Sequence, residues 1–199
     1  MTSVEQHISP SPQEVEEHPL HRSWTLYFTA AEASKDKSSF ENTMRNLITF
    51  STAEKFVSIL KALPKTSDYK SGSSLQVFEA DVKPTWEDPN NANGGRYKYS
   101  LPSFRGNESE INQFVDNILM FLVGEQFGEL GDLITGIYIL VKRGSPRVDI
   151  WLRSCDDVEA IKQIAEILID QCDVKREHLV FTPHHPNECD AIPGGKLKF

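Results

Sequence analysis

A chain of 199 residues is long enough for one domain with a packed core, and its 39% hydrophobic and 25% charged residues are those of an ordinary globular protein. The net charge of −8 excludes a protein that grips long RNA by bulk attraction to phosphate; any nucleic acid must be read through a small feature and a local cluster of charge. No apolar run approaches the roughly 18 residues of a membrane span, and three cysteines without close spacing argue for reduced thiols in a cytosol rather than a disulfide framework.

Residues 1–17 are polar, with four glutamates and two prolines, and lack the basic start and apolar centre of a secretory signal. They are expected to form a flexible tail ahead of a single domain over 18–199. Residues 24–29, Trp-Thr-Leu-Tyr-Phe-Thr, are aromatic and β-branched and predict a strand; 47–50 predicts a shorter one. Ser51 and Glu54 have the spacing of a capping box. Phe56, Val57, Leu60 and Leu63 follow at helical spacing, and Pro64 closes the helix.

Residues 83–96 predict a loop, with two prolines, three asparagines and Gly94-Gly95. Inside it stands Trp86-Glu87-Asp88. Residues 96–101 alternate as a strand does. Over 109–121 a helical face carries Ile111, Phe114, Val115 and Ile118, with Leu122 just beyond. Strands over 134–142 and 148–152 flank a hairpin turn at Arg143-Gly144-Ser145-Pro146. A third helix covers 157–171, with Val158, Ile161, Ile164, Ala165 and Leu168 on one side. A last short strand at 179–182 precedes a loose tail. Strands in neighbouring groups with three helices between them predict an α+β fold: an antiparallel sheet with helices on one face and the other face free for a ligand.

Two features carry chemistry. Trp86 is either a lid folded back on the core, as tryptophan often is, or a stacking platform on which a flat base lies while Glu87 accepts hydrogen bonds from its edge. A carboxylate suits guanine, whose N1 and N2 both present donors. Methylation at N7 makes the purine cationic, and a cation against an aromatic face gains about 0.5–2 kcal/mol. Lys142, Arg143 and Arg147 at the hairpin, with Arg96, are either solvated charge on a turn or a clamp for a short polyphosphate. His184, His185 and Cys189 lack the paired spacing of a zinc site, so no metal is expected. No nucleophile motif, glycine-rich phosphate loop or repeated carboxylate pattern is present, so neither an enzyme nor a cofactor is expected.

From about residue 18 onward His18-Pro19-Leu20, Trp24, Pro84-Thr85-Trp86-Glu87-Asp88 with Gly94-Gly95-Arg96, Gly124-Glu125-Gln126-Phe127, and Trp151 follow in one order. With these pieces in that order the chain resembles the eukaryotic translation initiation factor 4E family. The resemblance implies a curved antiparallel sheet of about eight strands with three helices on its convex back. It implies binding of the 7-methylguanosine cap of messenger RNA, the base held by Trp86, Glu87, Trp151 and a second stacking ring, and the phosphates by Arg96, Lys142 and Arg147. Arg143 is expected to serve beside Gly144, where the family has a basic residue.

The chain departs from the family at two places. Phe40 stands where the family has the second stacking tryptophan, which implies a weaker cation attraction. Val57 stands where a helix-borne tryptophan docks a short helical motif of scaffold and repressor proteins, and Asp116 and Asn117 replace an apolar–acidic pair. His18, Pro19, Leu20 and Gly124 remain, so a helical partner, a scaffold of the 4G type or a 4E-binding protein, is still expected there. The implied role is translation initiation in the cytoplasm, with the nucleus as a second compartment. The alternative is a cap-binding repressor or storage protein that does not recruit the usual scaffold.

Overall fold

The computed structural model describes residues 17–31, 43–101, 108–142, 146–187 and 189–199; Phe40, Arg143 and the tail 1–16 lie outside them. Eight strands form one sheet in the order β2-β1-β3-β5-β6-β4-β7-β8, with neighbours paired antiparallel. In chain order they are β1 (Pro19–Thr29), β2 (Met44–Thr52), β3 (Ser74–Glu79), β4 (Gly95–Ser100), β5 (Ile134–Leu140), β6 (Arg147–Leu152), β7 (Leu179–Pro183) and β8 (Leu197–Lys198). Three long helices accompany them: α1 (Ala53–Ala62), α3 (Glu108–Val123) and α4 (Val158–Gln171). A one-turn helix, α2 (Pro89–Ala92), lies inside the 83–96 loop.

The period-2 alternation of the strands decides which side is covered. Trp24 and Leu26, Leu75 and Val77, Tyr97 and Tyr99, Val148, Ile150 and Leu152, and Leu179 and Phe181 all point into one core. The same core takes Phe56 from α1, Ile111, Val115, Ile118 and Leu122 from α3, and Ile161, Ile164 and Leu168 from α4. The helices therefore lie on one side, as the α+β expectation has it. The Tyr97 hydroxyl reaches through this layer to donate to the Ile161 carbonyl at 2.5 Å, tying β4 to α4. The alternate residues face the helix-free side. Two rows cross the sheet there by register: Phe78–Gly136–Trp151–Arg96–Thr182, and Gln76–Tyr138–Asp149–Lys98–Val180–Lys198.

Several expectations need correction. α1 is capped by Thr52, whose hydroxyl accepts from the Lys55 N–H, while Ser51 still belongs to β2. Glu54 makes no capping box; it accepts from the backbone N–H of His18 and pairs with its ring. The tail is not loose: β8 pairs with β7, and Ile192 and Cys189 are buried. The thiol expectation fails as well, because Cys155 and Cys189, 34 residues apart, form a disulfide. Only Cys172, buried, stays free. Sequence spacing carries no record of that approach, since the partners sit in loops after β6 and β7 that meet in space.

Candidate functional site

The loop between β3 and β4 is built on two side chains. Asp88 caps α2, accepting from the Asn90 N–H at 2.9 Å with Pro89 at the first helical position, and its other oxygen accepts from the Lys83 N–H at 2.9 Å. Asn91, fully buried, donates to the carbonyls of Lys83 (2.8 Å) and Thr85 (2.9 Å) and accepts from the Thr135 hydroxyl of β5 (2.7 Å). Both ends of the turn are thus pinned to the sheet, and Trp86 and Glu87 stand at its exposed tip. Asn91 was not singled out by sequence reasoning, because an asparagine in a polar loop reads as a turn residue.

Trp86 is 52% exposed, which removes the lid reading. Its indole N–H donates to Glu87 Oε1. That hydrogen lies in the ring plane, so the carboxylate sits at the ring edge and leaves the π faces for stacking. The His185 ring lies 6.1 Å from Trp86, at 28° to it.

Trp151 lies on β6 in the row behind. Gly136 of β5 makes room for the Phe78 ring, since a Cβ there would come within 2.4 Å of it, and that ring meets Trp151 edge-on at 5.4 Å. Gly94 is equally constrained, because a Cβ there would fall 1.7 Å from the Leu152 carbonyl oxygen as the loop returns to the sheet. Trp151 is buried, with the Arg96 guanidinium 5.7 Å above its ring and His184 at 4.2 Å. The Trp151 indole nitrogen and His184 Nε2 are both buried and without hydrogen-bond partners among the described residues. Burial, with Arg96, His185 and Lys98 nearby, pushes the His184 pKa down to about 3, so the ring is neutral. In the sequence His184 stands as a candidate metal ligand; among the described residues no cluster with that chemistry exists.

Arg96 on β4 and Arg147 on β6 face the same helix-free side, each partly exposed, with the buried Asp149 between them. Desolvation lowers the Arg96 and Lys98 pKa values, and each is further lowered by its cationic neighbours. Lys142 is exposed just beyond β5. Trp86, Glu87, Trp151, Arg96 and Arg147 are therefore carried by β4, β6 and the adjoining loop, an exposed ring and acid at the tip and cations on the sheet.

The residues expected to face a partner lie apart, on the helical side. His18 is held by Glu54 at 2.6 Å, and Pro19 and Leu20 open β1. Val57 is 42% exposed on α1, while its neighbour Phe56 is the buried residue. On α3, Asp116 pairs with Lys65 at 2.9 Å, Asn117 is exposed, and Gly124 follows the last turn. Met120, 46% exposed on the same helix, is an apolar surface residue the sequence reading did not single out. A hollow of about 720 Å³ bordered by Tyr99, Phe114, Asn117 and Met120 also lies on this side, and neither Trp86 nor Glu87 lines it.

Comparison with known proteins is consistent with this geometry. The family model described as eukaryotic initiation factor 4E matches residues 19–191. The eukaryotic translation initiation factor 4E of Candida glabrata is 32% identical over 139 residues, 70% of this chain and 65% of that relative. Among solved structures, Ascaris suum eIF4E-3 with an m2,2,7G cap superposes with a TM-score of 0.78 at 27% identity, covering 85% of this chain and 93% of that one. The complex of Caenorhabditis elegans eIF4E-3 with the 4E-binding protein Mextli and a cap analogue gives 0.77 at 27% identity, covering 92% and 100%.

Proposed function

Because the chain belongs to the eukaryotic initiation factor 4E family, we propose that it binds the 7-methylguanosine cap of messenger RNA and supports translation initiation through a scaffold or 4E-binding partner. One observation carries this reading: a half-exposed tryptophan at a pinned loop tip with a carboxylate at its ring edge. The cationic base stacks on Trp86, with Phe40 as the second ring and Trp151 beside the N7 methyl. Glu87 exchanges the indole N–H for the N1 and N2 donors of guanine. That exchange trades one charge-assisted hydrogen bond for two, a pairing among the stronger ones available to a carboxylate. Arg96, Lys142, Arg143 and Arg147 take the phosphates.

On this reading the cap is held and not altered, which the family membership supports. The partner docks at His18, Pro19, Leu20, Val57, Asp116, Asn117 and Gly124. Met120 joins the exposed apolar surface of that side. Large aromatics supply most binding hot spots, so Val57 shifts weight onto the contacts of α3. The working compartment is the cytoplasm, with the nucleus as the second; among the described residues no helix is long and apolar enough to cross a membrane.

Calorimetric titration with 7-methyl-GTP and with GTP tests the proposal, followed by chromatography of the nucleotide. The expected result is at least roughly tenfold tighter binding of the methylated form, in line with the cation–aromatic gain, and intact nucleotide afterwards. Equal affinities would sink the cap reading, and a new chromatographic product would sink the claim that the cap is left unaltered.

A further inference from the structure

The strand register puts four charged residues of the helix-free face, Arg96 and Lys98 on β4 and Asp149 and Arg147 on β6, on successive outward positions. Arg96 pairs with Trp151, Lys98 with Asp149, and Ser100 with Arg147. Arg96 and Arg147 are thus four residues apart along the ladder, roughly 13 Å at the rise of a strand. Asp149 stands midway. Its carboxylate is completely buried, with Oδ1 at 2.9 Å from Arg147 Nε and Oδ2 at 3.7 Å from Arg96 Nη1.

An apolar or small residue would fit the sheet at this position. Burying a carboxylate there costs several kcal/mol unless partners compensate. The compensation comes from the cations alone, because neither carboxylate oxygen has an aligned hydrogen bond among the described residues. Without the acid, two arginines and Lys98 would share one patch of low dielectric and repel each other. With it, both guanidiniums are drawn inward from opposite ends of the ladder. Each keeps part of its surface in solvent, 30% for Arg96 and 25% for Arg147.

We propose that Asp149 is a positioning residue that gathers Arg96 and Arg147 into one converged binding site for the polyphosphate of the ligand. It touches no ligand itself. The inference rests on the cap-binding reading only for the identity of the base; the anion it prepares for is a short polyphosphate in either case. The gain is geometric, since two forks held side by side meet several phosphate oxygens without first being ordered.

The test compares wild type with Asp149→Asn, which keeps the shape and removes the charge. Calorimetry is run with 7-methylguanosine, 7-methyl-GTP and GTP at two salt concentrations. The expected result is that the affinity ratio of 7-methyl-GTP to 7-methylguanosine falls at least fivefold in Asp149→Asn, while nucleoside affinity stays within twofold. The salt dependence of triphosphate binding should fall as well. An unchanged ratio, or one that rises because a counter-charge has been removed, overturns the proposal.

A second measurement needs no variant and decides the matter if Asp149→Asn does not fold. The Nε–Hε signals of Arg96 and Arg147 are followed by NMR in wild type during titration with inorganic tripolyphosphate. Both signals should move together with a single dissociation constant; movement of only one, or of neither, overturns the proposal. Failure of the cap reading would show differently, as equal binding of 7-methyl-GTP and GTP with the arginine response intact.

Discussion

Asn91 satisfies three partners with one side chain, and all of them hold the loop that presents Trp86. Asn91→Ala leaves the Thr135 hydroxyl and two carbonyls short of partners in a buried place. Denaturant unfolding should show a loss of about 2–3 kcal/mol, and cap affinity should fall further than stability alone explains. His184 gives the molecule an acid sensitivity of known sign. Its folded pKa is about 3 against an ordinary 6.5, so the neutral ring is the one the fold accommodates. Above pH 6.5 both states are neutral and nothing changes. As pH falls below 6.5, the unfolded chain takes a proton that the folded one refuses, and stability drops until about pH 3. Thermal melts between pH 6.5 and 5 should slope by up to about 1.4 kcal/mol per pH unit, roughly 3–5 °C for a chain of this size. His184→Gln should flatten that window. At this scale the sequence singled out Trp86 and Glu87 as a tryptophan beside an acid in a polar loop, and it left lid and platform open until the exposure of Trp86 decided between them. It concealed Asn91, His184 and Asp149, whose roles depend on burial, and burial is a property of neighbours remote in the chain.

Elements were legible where periodicity was long and hidden where it was short. The helical face from Ile111 to Leu122 and that from Val158 to Leu168 are several turns of one repeating pattern, and both helices form. β8 has two residues and exists only because β7 offers an edge, which no window of sequence records. The cap of α1 shows how a motif misleads. Ser51 and Glu54 fit the spacing, yet the strand runs one residue further and Thr52 takes the position. Thr52→Ala should therefore lower stability by about 1 kcal/mol, as cap removal does, and Ser51→Ala should stay within about 0.5 kcal/mol. Equal effects, read from paired denaturant curves, would return the cap to Ser51.

For the whole molecule, net charge and function pull in opposite directions. A chain of −8 concentrates Arg96, Lys98 and Arg147 on one face of its sheet, so any attraction it exerts on a polyphosphate is local. The α+β order and the helix-free face followed from the order of the elements, strands in neighbouring groups with three helices between them. The Cys155–Cys189 link did not, since it depends on where two loops end up. The central claim concerns one ring and one acid, and it is tested most directly by tryptophan emission. Of the three tryptophans, Trp24 and Trp151 are buried and Trp86 is half exposed. Titration with 7-methyl-GTP should quench wild-type emission saturably at concentrations where GTP does little. Trp86→Phe should abolish most of that signal, and Glu87→Gln should move the curve to at least tenfold higher concentration, the loss of about 1.4 kcal/mol or more. Undiminished quenching in Trp86→Phe, or an unmoved curve in Glu87→Gln, would contradict the account.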